Sequence, residues 1–251
     1  MSLLKIETDG AVRTVTLNRP EKRNALNEEL MNGLIEAFAA TPPAEERVTV
    51  LRAEGPAFCA GLQLSTDGIN DGAEVLVGYM FNTIQHYPLP VVARVHGPAI
   101  AGGCELALHC DFVAADEAAP FGMPVAQIGL CTDWFLTKKI METAGLPMAR
   151  ELLLLGDPVP AGRLHQLGLI ARAVSAAELD AATDALIGRL AANGPLGMRA
   201  IKAQLLKQVS FYDDIDHTAE DALVAQAFAA DDAVEGVAAK VEKRAPKFKG
   251  A

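Results

Sequence analysis

The 251-residue sequence lacks a long apolar run. It has no stretch of about 18 uncharged apolar residues, so no membrane-spanning helix is predicted. Its first residues, from Met1 to Lys5, contain neither an apolar signal-peptide core nor a small-residue cleavage site. Internal repeats and low-complexity linkers are missing as well. These absences predict a globular protein without a membrane association, and we expect it in the cytoplasm.

Cysteine and positive charge are scarce. The four cysteines show no paired metal-ligand spacing and stand in apolar or glycine-rich surroundings, so reduced, buried thiols are expected rather than disulfides or a metal site. There are 22 Lys and Arg residues against 32 Asp and Glu residues, a formal net charge of -10. This excess of negative charge argues against a nucleic-acid surface.

The chain has enough apolar material for a full core. It is 51% hydrophobic and 22% charged, which predicts one domain with an appendage. Short β-branched or apolar runs bounded by turn signals alternate with helical patterns, so the predicted fold class is α/β. The predicted strands are 12–17, 48–52, 91–95, 111–115 and 169–174.

Helix signals accompany this alternation. Asn27 is a predicted N-cap, and Ser175 with Glu178 forms a capping-box pattern before Leu179. From about Pro195 only helical patterns remain, at 196–209, 219–230 and 231–244. These alanine-rich amphipathic segments need an apolar surface, which a partner subunit could supply. The turn-rich segment 67–72 predicts a loop beside a binding pocket.

The segment 97–111, Gly-Pro-Ala-Ile-Ala-Gly-Gly-Cys-Glu-Leu-Ala-Leu-His-Cys-Asp, is the strongest functional signal. A buried strand precedes it, and Gly102 with Gly103 lets backbone N–H groups approach a ligand at a helix N-terminus. The same glycines could instead serve only tight packing, with Glu105 as a favourable first-turn acid. Such a bend can stabilise an oxyanion, and Glu105 can carry a proton.

Three motifs follow one another along the chain: Asn-Arg-Pro-x-x-x-Asn-Ala-Leu at 18–26, Phe-x-Ala-Gly at 58–61 and Gly-Gly-Cys-Glu-Leu at 102–106. In this order they resemble the crotonase family, also called the enoyl-CoA hydratase/isomerase family. The resemblance runs from about Val12 to Lys249. It implies a ββα superhelix over 1–194 that holds an acyl-CoA site, and a C-terminal helical oligomerisation region over 195–251. It also implies a homotrimer or a dimer of trimers and a place in fatty acid metabolism.

The resemblance also assigns roles to residues. The N–H groups of Leu62 and Gly102 match the oxyanion donors, and Glu105 matches one of two hydratase glutamates. Coenzyme A enters as part of the substrate, with no other cofactor and no metal. Contacts to the substrate or to coenzyme A are implied for Lys22, Arg23, Ala25, Ala60, Gly61, Leu64, Gly103, Val125 and Lys243.

The sequence departs from the family pattern at the second glutamate. Phe-Gly-Met-Pro at 121–124 is followed by Val125, which cannot carry a proton. Asp133 lies eight residues later, where some family members use an aspartate; it could be catalytic, or it could cap the helix that starts near Trp134.

Three functions remain open. The first is an enoyl-CoA hydratase or isomerase, in which Val125 argues against efficient hydration. The second is a non-catalytic acyl-CoA-binding protein, and the third is an Asp133-dependent hydrolase or isomerase.

Overall fold

The computed structural model describes residues 2–64 and 72–250, and it builds the described chain on two sheets. The larger sheet holds six strands in the order β1-β2-β3-β4-β6-β9. They are Leu4–Asp9 (β1), Val12–Leu17 (β2), Val48–Ala53 (β3), Val91–Val95 (β4), Phe112–Asp116 (β6) and Arg172–Val174 (β9). The smaller sheet, in the order β5-β7-β8, contains Ala99–Ile100 (β5), Pro120–Gly122 (β7) and Val159–Pro160 (β8).

Helices connect these strands and form the C-terminal part of the chain. They are Glu28–Ala39 (α1), Ala73–Gln85 (α2), Gly102–Leu108 (α3), Trp134–Arg150 (α4), Ala161–Gln166 (α5), Leu179–Ala191 (α6), Pro195–Val209 (α7), Thr218–Ala229 (α8) and Asp231–Glu242 (α9). None of the helices within the described ranges combines the length and apolar composition that a membrane crossing requires.

The larger sheet is mostly parallel, as the alternation of strands and helices predicts. Only β1 and β2 pair antiparallel, and every other neighbouring pair in this sheet is parallel. Parallel neighbours need crossover connections, which the helices provide. The strands predicted at 12–17 and 91–95 have those bounds, whereas the one predicted at 169–174 is shortened to Arg172–Val174.

Both faces of the larger sheet are covered. Leu51, Ala93 and Val113 belong to a large buried core that also includes Leu34 of α1 and Phe81 of α2. On the other face, Val48 and Val92 pack with Leu190 of α6. Strands buried on both faces read as nearly continuous apolar runs, which explains why β3 and β4 were visible in the sequence.

The two helix-cap predictions have different outcomes. Asn27 caps α1 as predicted, since its Oδ1 accepts from the Leu30 N–H at 3.1 Å. The capping box at Ser175 and Glu178 is wrong: α6 begins only at Leu179, so Glu178 itself is at the cap position. The Ser175 hydroxyl donates to the Glu178 carboxylate at 2.6 Å instead of accepting a hydrogen bond from a helix N–H.

The predicted helical tail matches α7, α8 and α9 within two residues at each end. In α7, the Lys202 amine donates to Asp111 Oδ2 at 2.6 Å and to the Leu89 carbonyl at 3.2 Å, which ties this helix to the starts of β4 and β6. In α9, Gly236 packs against the Ile128 backbone so closely that a Cβ would overlap it. The division into 1–194 and 195–251 stays a prediction, and most of the predicted loop at 67–72 lies outside the described residues.

Candidate active site

The first sequence motif folds into a loop organised by Asn24. This buried side chain donates to the Glu54 and Ala57 carbonyls at 2.8 and 2.9 Å, and its Oδ1 accepts from the Arg19 N–H at 2.8 Å. The Ala60 N–H donates to the Arg23 carbonyl at 3.0 Å. Asn24 therefore joins the first motif to the segment that begins at Phe58, which explains why the motif needs an amide side chain there.

Within the Phe58–Leu64 segment, the backbone N–H of Leu62 points to one side of the chain. Leu26 and Leu62 form a parallel bridge, in which Leu26 donates to the Gly61 carbonyl and accepts from the Gln63 N–H. In such a bridge the amide of the central residue faces away from the partner strand. The Leu62 N–H is thus directed toward the other side of the segment, where α3 begins.

Gly61 and Gly102 bring the two proposed donors together. A Cβ built on Gly102 would lie 3.7 Å from the Leu62 nitrogen, and one built on Gly61, whose φ is +87°, would lie 3.1 Å from the Gly102 nitrogen. As the first residue of α3, Gly102 has an N–H without an acceptor inside the helix. The geometry therefore suits an anion between the two amides.

Strain and close packing fix this corner. Ala101 has φ +49° and ψ -121°, an unusual conformation for a residue with a side chain, while its N–H donates to the Gly122 carbonyl at 2.7 Å. A Cβ at Gly103 would overlap the Cys59 carbonyl oxygen. Glycine at position 102 therefore leaves the backbone N–H donor accessible. Glycine at position 103 allows α3 to contact the segment around Cys59.

Glu105 lies in the first turn of α3 and is only 3% exposed. Its side chain lines a cavity of about 870 Å³ together with Gly102. Within the described ranges, its Oε1 atom has no hydrogen-bond partner. Burial raises the pKa of Glu105 well above its usual value, and the negative charge of Asp133 raises it further.

Asp133 stands at the same cavity and also caps α4. Its Oδ1 accepts from the Leu136 N–H at 2.7 Å, so the capping interpretation is confirmed. Capping and a place in the cavity are compatible, because the second carboxylate oxygen is not used by that hydrogen bond. Burial raises the pKa of Asp133, while the Leu136 N–H lowers it. Its catalytic role stays a prediction.

The cavity contains other residues that the sequence singled out. Val125 occupies the wall as predicted, and Ala60 and Leu64 line the cavity as well. The remaining wall is mainly apolar and includes Val75, Val77, Ile128, Leu130, Leu136, Val224, Phe228 and Val237. A cavity of this size with few polar groups is typical of a site for an organic ligand.

The predicted cationic contacts are spread around the site. Lys22 and Arg23 are exposed in the first loop beside half-buried Ala25. Lys243 is exposed directly after α9, and Lys240 of the same helix lines the cavity. The sequence offered Lys240 only as one member of a basic cluster, because helix direction and packing decide which lysine reaches the cavity.

Asp221 is another wall residue that sequence reasoning missed. It belongs to α8, and its neighbours in sequence carry no catalytic motif. Its position depends on how α8 folds back over the core, so no local signal could reveal it. His109 is buried: its ring stacks on Phe81 with centroids 4.9 Å apart, and burial lowers its pKa to about 3.

The cysteines are free, as predicted, and the described residues contain no group of three or more His, Cys, Asp or Glu side chains placed to hold a metal ion. Three of the four thiols are buried, and burial raises the pKa of Cys59 to about 12. A thiol with such a pKa stays protonated near neutral pH and is a poor nucleophile.

Comparisons with known proteins agree with this site. A family model described as enoyl-CoA hydratase/isomerase matches residues 7–251. The "Probable enoyl-CoA hydratase echA6" of Mycobacterium tuberculosis is 33% identical over 249 residues, which cover 99% of this chain and 100% of that protein. The 2,3-dehydroadipyl-CoA hydratase of Escherichia coli K12 is 32% identical over 255 residues and is covered completely, as is this chain.

A comparison with a solved structure also supports the fold. The crystal structure of an enoyl-CoA hydratase from Mycobacterium avium subsp. paratuberculosis K-10 is 27% identical to this chain, with a TM-score of 0.86 and coverage of 98% of both chains. The expected crotonase-type α/β fold is therefore confirmed. The chain belongs to the enoyl-CoA hydratase/isomerase family.

Proposed function

We propose that this enzyme stabilises an enolate of an acyl-CoA thioester and moves a proton with Glu105. The observation that carries the proposal is the buried Glu105 carboxyl, which lines the same cavity as Gly102 and leaves Oε1 unpaired among the described residues. The amides of Leu62 and Gly102 would hold the thioester oxygen, and each such donor contributes about 2.7 to 4 kcal/mol to transition-state stabilisation.

The raised pKa of Glu105 suits this role. A proton carrier works best when its pKa lies near the working pH, and burial moves that of Glu105 upward from the usual carboxyl range. The ionised form would remove a proton next to the thioester carbonyl, and the acid form would return it to another carbon. Coenzyme A takes part only as a portion of the substrate in this scheme, and no other cofactor is required.

Within the family activities, we favour double-bond isomerisation over efficient hydration. Isomerisation needs one group that shuttles a proton, whereas hydration uses a second carboxyl to position water. Val125 lines the cavity and offers no such group. Asp133 is the one alternative with a specific observation behind it, because its carboxylate lines the same cavity as Glu105. A pure binding protein would have no use for the unpaired Glu105 carboxyl.

Coenzyme A would be held by exposed cations from two parts of the chain. Lys22 and Arg23 in the first loop, Lys240 of α9 and Lys243 directly after that helix would attract its phosphates. The local cations matter because the chain carries an overall charge of -10.

We also propose that the chain assembles as a homotrimer or a dimer of trimers through its C-terminal helices. Large apolar side chains remain exposed there: Leu196 is 77%, Leu205 64% and Leu223 64% exposed. Where such side chains form one patch, a partner subunit would cover it.

Restoring the missing carboxyl tests the distinction between hydration and isomerisation. Val125→Glu should raise the hydration rate of crotonyl-CoA by about 10² to 10⁴-fold, because one positioned proton carrier contributes that much. The assay compares hydration and double-bond migration for wild type, Val125→Glu, and the double variant Glu105→Gln/Val125→Glu. A folded Val125→Glu protein that binds crotonyl-CoA without gaining hydration would contradict the proposed role of Val125.

A further inference from the structure

One face of α2 extends past two cavities. Val75, near its start, lines the cavity that contains Glu105, whereas Asn82 and Gln85 line a second cavity of about 400 Å³. Residues three or four apart share a helix face, so Gly78 lies between Val75 and Asn82 in the same row. The row therefore borders the active-site cavity at one end and the second cavity at the other, and its middle position has no side chain.

Asp133 lies opposite Gly78, the middle residue of this row on α2. A Cβ built on Gly78 would have a single described atom within 4 Å, Asp133 Oδ2 at 3.9 Å. The other oxygen, Oδ1, is occupied by the Leu136 N–H at 2.7 Å. Asp133 lines both cavities, so its carboxylate lies at the boundary between them.

Asp221 provides a second carboxylate at the boundary between the two cavities. It extends from α8 and also lines both cavities. His217, four residues earlier, orients it: the distance from His217 Nδ1 to Asp221 Oδ2 is 2.8 Å. The His217 ring in turn stacks on Trp134 with centroids 4.7 Å apart and planes 6° from parallel. Both rings line the second cavity, which thus combines flat apolar surfaces with carboxylate acceptors.

The charges of the second cavity favour a ligand group that donates a hydrogen bond over a ligand group that carries a negative charge. Its lining includes Asp133, Asp213 and Asp221, and its lysine, Lys138, already pairs with Asp213 and with Glu142 at 3.4 Å. A hydroxyl group arriving there can donate to a carboxylate. A carboxylate arriving there would face like charges.

We propose that the second cavity is a distal acyl subsite, which takes an acyl chain that is long enough to pass Asp133 and ends in a hydroxyl group. The inference rests on the proposed function, because a thioester held at Gly102 directs its acyl chain into the cavity that α2 borders. It adds a substrate class: long-chain acyl-CoA thioesters with a neutral hydroxylated end, and not those with a carboxylate end.

Calorimetry with saturated, unreactive thioesters measures this preference without relying on turnover. The ligands are butyryl-CoA, decanoyl-CoA, and the omega-hydroxy and omega-carboxy forms of decanoyl-CoA. We expect omega-hydroxydecanoyl-CoA to bind about tenfold more tightly than decanoyl-CoA, since one hydrogen bond to a charged group is gained. We expect the omega-carboxy form to bind at least about tenfold more weakly than decanoyl-CoA.

Two variants probe the boundary between the cavities and its charge. Gly78→Leu places a side chain against Asp133 Oδ2 and should weaken binding of omega-hydroxydecanoyl-CoA by more than about tenfold, through loss of buried chain contacts. Its matched control is Gly188→Leu, at an exposed glycine of α6 with open space around its Cβ position. Asp221→Asn removes a negative charge with little change in shape. It should reduce the ratio of the affinity for the omega-hydroxy ligand to that for the omega-carboxy ligand by about tenfold. The exposed Asp184→Asn in α6 is its control.

The outcomes separate this inference from the proposed function. If butyryl-CoA binds but neither the end group nor Asp221→Asn changes affinity, the distal subsite is wrong and the thioester site stands. Should Gly78→Leu fail to fold, the Asp221→Asn result decides. If the expected preferences appear although enoyl-CoA thioesters are not turned over, the subsite stands and the proposed catalysis is wrong. If none of the thioesters binds, both are wrong.

Discussion

Glu46 and Glu105 are both nearly inaccessible to solvent, at 1% and 3% exposure, but their surroundings differ. Each carboxyl has one oxygen without a hydrogen bond among the described residues, but that of Glu46 lies 3.8 Å from Arg13 Nε while its Oε1 accepts from two hydroxyl groups, whereas Glu105 faces a cavity. Burying a carboxyl without partners costs free energy. The comparison shows which acid the fold uses for its own stability and which one it keeps open for a ligand.

The partners of Glu46 come from separate parts of the chain. Its Oε1 accepts from the Thr49 hydroxyl at 2.5 Å and the Tyr87 hydroxyl at 2.8 Å, and its Oε2 lies 3.8 Å from Arg13 Nε. The Arg13 guanidinium stands 4.8 Å from the Tyr87 ring centroid and donates to the Ala37 carbonyl at 2.9 Å. This arrangement joins β2, the start of β3, the end of α1 and the segment after α2.

The largest stability effect should follow from removing the Glu46 charge. Glu46→Gln leaves the Arg13 guanidinium buried without its counter-charge, so we expect a loss of about 3 to 5 kcal/mol in the free energy of unfolding. Urea denaturation measures this loss, and turnover per folded molecule should not change. The exposed neighbour Glu45→Gln is the control and should stay within about 0.5 kcal/mol of wild type. A loss below about 1 kcal/mol for Glu46→Gln would contradict the stabilising role that distinguishes Glu46 from Glu105.

The corresponding change at Glu105 should have the opposite sign. Because the folded-state pKa of Glu105 is raised, the folded protein holds its proton more tightly than the unfolded chain does. The stability of wild type therefore falls as pH rises from the usual carboxyl pKa through the raised value. Glu105→Gln removes this term, so we expect a gain of about 1 kcal/mol that is larger at about pH 8 than at about pH 5.

The gain is read from urea denaturation of the two proteins at both pH values. Equal stability at both pH values, or a loss on substitution, would show that Glu105 is satisfied in the folded state in the way Glu46 is.

Asp133 offers a further test of the state of Glu105, because its negative charge raises the pKa of Glu105. Asp133→Asn keeps a cap for α4 but removes the negative charge that raises the pKa of Glu105. The acid limb of the kcat/KM pH profile, where Glu105 must be ionised, should therefore move to lower pH. The plateau rate should change less than about tenfold. A plateau lower by about 10²-fold or more would show that Asp133 itself carries a proton.

The sequence predicted the thioester end of the site better than the acyl end. Gly102, Gly103 and Glu105 are adjacent, and the local requirements of a tight strand-to-helix bend select glycine there, so their pattern is visible in a short segment. Asp221 and Lys240 come from helices whose sequences are ordinary. Their place in the cavity depends on the packing of α8 and α9 against the core, which no local pattern encodes.

The missed elements have a similar explanation. The strands β5 and β8 have two residues each, too few for a period to be seen. The capping-box error at Ser175 arose because the two side chains bind each other and the helix starts later. The longer strands β2, β3 and β4 were predicted because each has five or six residues that are mostly β-branched or apolar.

Hydrogen exchange at the substrate tests the central claim most directly. Butyryl-CoA has no double bond to hydrate or to move, yet an enzyme that stabilises its enolate exchanges α-hydrogens for deuterium in D₂O, which NMR can follow. We predict exchange by wild type and a rate about 10² to 10⁴-fold lower for Glu105→Gln, with butyryl-CoA binding retained in calorimetry. Equal exchange rates in the two proteins, or no exchange by wild type that binds butyryl-CoA, would contradict the role assigned to Glu105.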